Sequence, residues 1–91
     1  MIRVRVVVSG TVQGVSFRDG CRRQAAAHQV NGWVRNLPDG SVEAVFEGSP
    51  DAVEAMLDWT RHGPPMASVT RVDVYKEAPA PEGLNGFTVR S

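Results

Sequence analysis

The stretch Gly10-Thr11-Val12-Gln13-Gly14-Val15-Ser16-Phe17-Arg18 carries residue types able to do chemistry, because it reads as the junction between a strand and a helix N-terminus. Such a junction leaves several backbone N–H groups without an intrahelical acceptor and sets the positive end of a helix dipole beside them, so it attracts an anion. The glycines that bracket the turn let the backbone aim its N–H groups into a concave nest. Arg18 falls in the first helical turn, where a cation costs roughly 0.3–1 kcal/mol unless an anion neutralises it. A phosphate-sized oxyanion, held by the nest and by the planar guanidinium, removes that conflict. A tight strand-to-helix connection with Arg18 in solvent accounts for the loop shape equally simply. The stretch lacks both the Gly-Lys-Ser/Thr ending of a nucleotide P-loop and the three-glycine dinucleotide fingerprint.

A second cluster runs from Gly32 to Glu43 as Gly-Trp-Val-Arg-Asn-Leu-Pro-Asp-Gly-Ser-Val-Glu. Asn36 comes at the end of a strand, before a hairpin turn, and alternation sets it on the same face as Val34, with Trp33 and Arg35 on the other. Asn is a good residue for starting a turn. Its neutral amide can also donate to one oxygen and accept from a water, orienting that water without acting as a base.

The elements that must position these residues follow from periodicity. Ile2, Val4, Val6 and Val8 alternate with Arg3, Arg5, Val7 and Ser9, which predicts a first strand with one buried face. From Phe17 the spacing becomes helical through Cys21, Gln24/Ala25 and His28. Asn31 and Gly32 open a second strand, Pro38-Asp39-Gly40 marks a hairpin, and Val42, Ala44 and Phe46 alternate with Ser41, Glu43 and Glu47 in a third strand. Ser49 as cap, Pro50 at the first helical position and the inward stripe Val53, Met56, Leu57 and Thr60 predict a second helix, stopped by Gly63-Pro64-Pro65. A fourth strand spans Val69 to Tyr75, an acidic Pro/Ala-rich loop runs from Glu77 to Gly83, and a last strand covers Phe87 to Arg90. The expected fold is α+β: a ferredoxin-like β-α-β-β-α-β sandwich with a short C-terminal strand, its antiparallel sheet covered on one face by two helices.

At the two clusters the sequence resembles the acylphosphatase family. The family pattern Gly-x-Val-Gln-Gly-Val-x-Phe-Arg stands at Gly10 to Arg18, and Gly-Trp-Val-x-Asn-x-x-Asp-Gly-x-Val-Glu stands at Gly32 to Glu43. Together they match about a dozen residues, and length and element order agree over essentially the whole chain. The resemblance implies hydrolysis of small acyl phosphates to a carboxylate and inorganic phosphate, with neither metal nor organic cofactor. It makes Arg18 the phosphate-binding arginine, Asn36 the residue that positions the attacking water, and the backbone N–H groups of Gln13, Gly14, Val15, Ser16 and Phe17 the phosphate cradle. Whether water attacks phosphorus or the carbonyl carbon stays open. One departure is Gln29, at the end of the first helix, where family members usually carry Gly. If that residue is left-handed, Gln costs about 1 kcal/mol relative to Gly.

Length and charge bound the alternatives. At 91 residues the chain is expected to form one domain, residues 1–91, complete in itself. Ten basic and ten acidic residues cancel, yet residues 1 to 36 carry six arginines against Asp19 alone, a net of +5, leaving −5 for the rest. Nine of the ten cations are arginine, which fits compositional bias as well as oxyanion recognition. An RNA-binding module of this fold would need an aromatic, basic third strand, and Ser41 to Glu47 is acidic with only Phe46 aromatic. Two rivals remain: a non-catalytic ferredoxin-like ligand-binding or regulatory module, and a detached domain of a larger carbamoyl-transfer protein. Cys21, without a neighbouring His, reads as a small core residue, His28 and His62 as surface residues at helix ends, and Trp33 and Trp59 as packing residues. Arg22 and Arg23 read as solvent-facing, and Glu43 and Glu47 as a solvated sheet edge. A lone cysteine and the absence of a signal segment or long apolar run favour a cytoplasmic protein, and no nucleic-acid or membrane partner is expected. A monomer acting on a small acyl phosphate is the expected state.

Overall fold

Val4, Val6 and Val8 form the buried face of the first strand, β1 (Ile2–Thr11), in the computed structural model, which describes residues 1–78 and 83–90. Most of the Pro/Ala-rich loop expected from Glu77 to Gly83 lies outside the described residues. The order continues with α1 (Phe17–His28), β2 (Asn31–Asn36), β3 (Val42–Gly48), α2 (Pro50–His62), β4 (Ser68–Glu77) and β5 (Phe87–Arg90). The strands form one sheet in the order β4-β1-β3-β2-β5. Both helices pack on one face, so the ferredoxin-like sandwich is the observed architecture.

One pairing departs from the antiparallel expectation: β5 joins β2 in parallel, with Gly32 opposite Phe87 and Arg35 opposite Arg90. The register explains it. Glu77 at the end of β4 lies beside Arg3 near the start of β1, and Asn31 at the start of β2 lies at that same end of the sheet, opposite Glu47 of β3. A chain that crosses from the β4 edge to the β2 edge at this end therefore continues in the direction of β2.

Helical periodicity works out most fully in α2. Ser49 caps it by accepting from the Ala52 N–H at 3.2 Å, Pro50 opens it, and Val53, Met56, Leu57 and Thr60 are all buried. In α1 the inward stripe is Phe17, Gly20, Cys21 and Ala25, and His28 is exposed. Gly20 belongs to that stripe for a steric reason: a Cβ there would lie 2.8 Å from the Trp59 ring. The same ring packs against Phe17 at 5.1 Å between centroids, joining the two helices. Cys21 is fully buried and its burial pushes the thiol well above the ordinary range, so it is a packing residue rather than a nucleophile. His62 is exposed, with Nδ1 3.0 Å from the Asp58 carbonyl oxygen.

The open face of the sheet corrects two readings. Glu43 and Glu47 are not a solvated edge; β3 is an interior strand, Glu47 is fully buried and Glu43 nearly so. Arg3 Nε donates to Glu47 at 2.9 Å, and Arg5 and Arg35 hold Glu43 at 3.1 and 2.7 Å. The Leu84 N–H, 2.6 Å from Glu47 Oε1, is the main cause that keeps this carboxyl below the usual range, with Arg3 adding to it. The second correction concerns Trp33, which lies outside the hydrophobic core, on the open face, with the Arg35 and Arg90 guanidinium groups 5.5 and 4.4 Å from its ring.

Gln29 is left-handed, at φ 58 and ψ 45, and its N–H and that of Val30 close the end of α1 on the Ala26 and Ala25 carbonyls. Strain of about 1–2 kcal/mol for a side chain in this region, less the entropy that glycine loses on folding, leaves Gln29→Gly stabilising by about 0.5–1 kcal/mol. Thermal denaturation followed by circular dichroism should show Tm rise by ~2–8 °C, with hydrolytic activity unchanged.

Candidate active site

The site begins where β1 bends. Its register against β4 shifts between Ser9 and Gly10, and Gly10 adopts φ 122 at a point where a Cβ would lie 2.1 Å from the Ser68 carbonyl oxygen. Only glycine fits there, and the bulge turns the chain toward the helix layer. Val12, buried to 1% exposure, pins the loop that follows to the core.

Between that anchor and α1 the backbone alternates in sign. Gly14 has φ 75 and Ser16 φ 64, separated by Val15 with negative φ. Such alternation points successive N–H groups to one side. A Cβ at Gly14 would meet nothing within 4 Å, so conformation rather than space calls for glycine there. Ser16 occupies the cap position of α1, yet its side chain makes no cap bond. The first N–H to return to the chain is that of Gly20, 3.0 Å from the Ser16 carbonyl oxygen. Among the described residues, the N–H groups of Gln13 to Asp19 donate to no protein acceptor. The loop thus offers a row of free donors at the positive end of a helix.

Arg18 and Asn36, predicted from separate motifs, line one cleft of about 400 Å³ together with Gly14, Ser16 and Phe17. Val15 lies in the same loop without reaching the cleft wall, and packs against the core. Gln13 is likewise absent from the cleft wall, and its side chain turns toward the β2–β3 hairpin. Arg18 Nη1 donates to the Arg90 carbonyl oxygen at 2.9 Å, and Arg18 has no carboxylate partner among the described residues. The guanidinium is thereby aimed by β5, and no carboxylate among the described residues pairs with its charge. Asn36, the last residue of β2, keeps its Oδ1 buried without a hydrogen-bond partner among the described residues. Two uncommitted groups of complementary kind, a cation and an amide acceptor, therefore share one wall with the free N–H row.

Four further residues line the cleft. Val89 from β5 and Val12 supply apolar walls, and Asp19 and Arg22 line the rim. Asp19 accepts from Arg22 at 2.8 Å, and Arg23 lies 3.4 Å away, so Arg22 and Arg23 are half to two-thirds solvated as expected but are also paired. The Arg22 hydrogen bond holds the Asp19 carboxyl below the usual range, which leaves it ionised and unsuited to general acid work near neutral pH. Asp19 and Arg22 could have been paired from their spacing of three residues. The Arg90 carbonyl, a backbone atom 72 residues from Arg18, has no signature in the sequence.

Known proteins resemble this chain along nearly its whole length. The acylphosphatase family model matches residues 4–89. A protein named acylphosphatase from Thermococcus kodakarensis is 54% identical over 88 residues, covering 97% of this chain and 94% of that protein. One of the same name from Rubrobacter xylanophilus is 58% identical over 88 residues, covering 97% of this chain and 79% of that protein. The crystal structure of acylphosphatase from Bacillus subtilis superposes with a TM-score of 0.94 at 33% identity and covers 100% of both chains. Matches of this identity and coverage, over a chain whose free N–H row, arginine and asparagine meet in one cleft, place the protein in the acylphosphatase family.

Proposed function

We propose that this protein hydrolyses the carboxyl–phosphate bond of small acyl phosphates, releasing a carboxylate and inorganic phosphate. The observation that carries the reading is the meeting of Arg18, Asn36 and the free N–H groups of the Gln13 to Phe17 loop at one cleft. The phosphoryl group sits in the loop, its oxygens accepting from the backbone N–H row and from the Arg18 guanidinium. Asn36 orients a water toward phosphorus.

The chemistry asks little more of the protein. An acyl phosphate is an activated mixed anhydride with a carboxylate leaving group, and phosphoryl transfer through a loose transition state needs mainly positioning and charge stabilisation. As the water oxygen bonds to phosphorus, the P–O bond to the acyl group breaks and its electron pair leaves with the carboxylate. The water's proton passes to a phosphate oxygen of the substrate, so no side-chain base is required. Arg18 and the N–H row gain strength as negative charge spreads over the transferring group, the condition for catalysis rather than mere binding.

The same reading takes residues 1–91 as one acylphosphatase domain acting as a monomer in the cytoplasm. No helix of the described residues is long and apolar enough to cross a membrane. The test is an assay in excess chelator on acetyl, benzoyl and carbamoyl phosphate, with p-nitrophenyl phosphate as control. Full activity on the acyl phosphates with little on the ester is expected. Loss of activity on chelation, or preference for the ester, overturns the assignment.

A further inference from the structure

The Gln13 side chain has a task separate from its backbone. Its Nε2 donates to the Leu37 carbonyl oxygen at 2.8 Å and to the Ser41 carbonyl oxygen at 2.9 Å, which uses both amide hydrogens. These two carbonyls flank the turn that immediately follows Asn36. They do not depend on Gln13 for a partner: Leu37 N–H donates to Ser41 O at 2.9 Å, and Gly40 N–H donates to Leu37 O at 3.2 Å. The hairpin is closed by its own backbone. What the Gln13 amide adds is a tie between the N–H loop and the strand end that carries Asn36; among the described residues no other side-chain hydrogen bond joins these two segments.

We infer that Gln13 is a positioning residue that sets the distance between the bound phosphoryl group and Asn36 by clamping the loop to the β2–β3 hairpin. This rests on the proposed role of Asn36. The phosphoryl group is held by the loop and by Arg18, on one side of the clamp. Asn36 and its water are on the other. In-line attack depends on the gap between them, and a misplacement near 1 Å costs a rate factor on the order of 100. Binding of phosphate alone uses only the loop side and does not depend on the clamp.

The experiment is a double-mutant cycle between Gln13→Met and Asn36→Ala, read by kcat on benzoyl phosphate and by competitive inhibition with inorganic phosphate. Gln13→Met keeps side-chain volume and removes both donors. In the wild-type background it is expected to lower kcat by about 10- to 100-fold, with the phosphate inhibition constant within about threefold. In the Asn36→Ala background the same change is expected to cost less than about threefold, because the group it positions is gone. Gln13→Asn, which keeps an amide but is one methylene too short to reach both carbonyls, is expected to give the same split, and thermal unfolding confirms that each variant is folded. Equal kcat losses in both backgrounds, or weakened phosphate inhibition at unchanged kcat, overturn the inference. An Asn36→Ala enzyme with wild-type kcat would instead overturn the role of Asn36, which separates the two failures.

Discussion

Arg18→Ala is expected to lower kcat/KM on benzoyl phosphate by about a thousandfold or more, the scale seen when an arginine that meets transferring phosphoryl charge is removed. The loss should appear in both binding and turnover. Arg18 stands in the first turn of α1, where the helix dipole opposes a cation, and among the described residues no carboxylate offsets it. Arg18 Nη1 donates instead to the Arg90 carbonyl oxygen at 2.9 Å, which fixes direction without cancelling charge. A guanidinium held in this way is already ordered before substrate arrives, so little entropy is lost when it engages the phosphoryl oxygens.

Two controls sharpen the result. Arg18→Lys keeps the charge but not the fork that can hold Arg90 O with one nitrogen and phosphate with others, so it is expected to recover only a small part of the lost activity. Inhibition by inorganic phosphate should weaken in both variants. Steady-state kinetics with benzoyl phosphate checks the whole set, and near wild-type kcat/KM in Arg18→Ala would show that phosphate is held elsewhere.

The contrast between Arg18 and the other arginines shows how far sequence reading reaches. Element types followed from local periodicity, and the cap and stop of α2 from Ser49, Pro50 and Gly63, because those signals lie within a few residues of what they govern. The charge split of +5 and −5 over the chain looked like bias for lack of a register. With β1 and β2 paired to β3, Arg3 meets Glu47, and Arg5 and Arg35 meet Glu43, so much of the split is two halves of a single charge lattice on the open face of the sheet. Alternation alone placed both glutamates on one strand face but could not say that β3 is interior. The parallel seat of β5 depends on where β4 ends, and the tie from Gln13 to the hairpin spans 24 and 28 residues. Such facts belong to the assembled sheet and not to any window of the chain.

The second large effect is expected at Asn36. Asn36→Ala should lower kcat by about 10²- to 10³-fold, the usual cost of deleting one polar group that acts on the reacting atoms, while inhibition by inorganic phosphate stays within about twofold because the loop and Arg18 are untouched. Its stability consequence is small. Asn36 Oδ1 has no hydrogen-bond partner among the described residues, so Asn36→Ala removes no protein hydrogen bond at that atom, and Tm should hold as activity falls. A residue kept only to start the turn would behave oppositely, losing stability and leaving kcat alone. Asn36→Asp adds a test of charge: the shape is kept, but a carboxylate beside the phosphoryl oxygens should weaken phosphate inhibition as well as slow turnover. Hydrolysis in ¹⁸O-labelled water completes the argument, since attack at phosphorus puts the label in inorganic phosphate and attack at the carbonyl carbon puts it in the carboxylate. Unchanged kcat in Asn36→Ala, or label in the carboxylate, would remove Asn36 from the step at phosphorus and leave Arg18 and the N–H loop as a binding site without an oriented nucleophile.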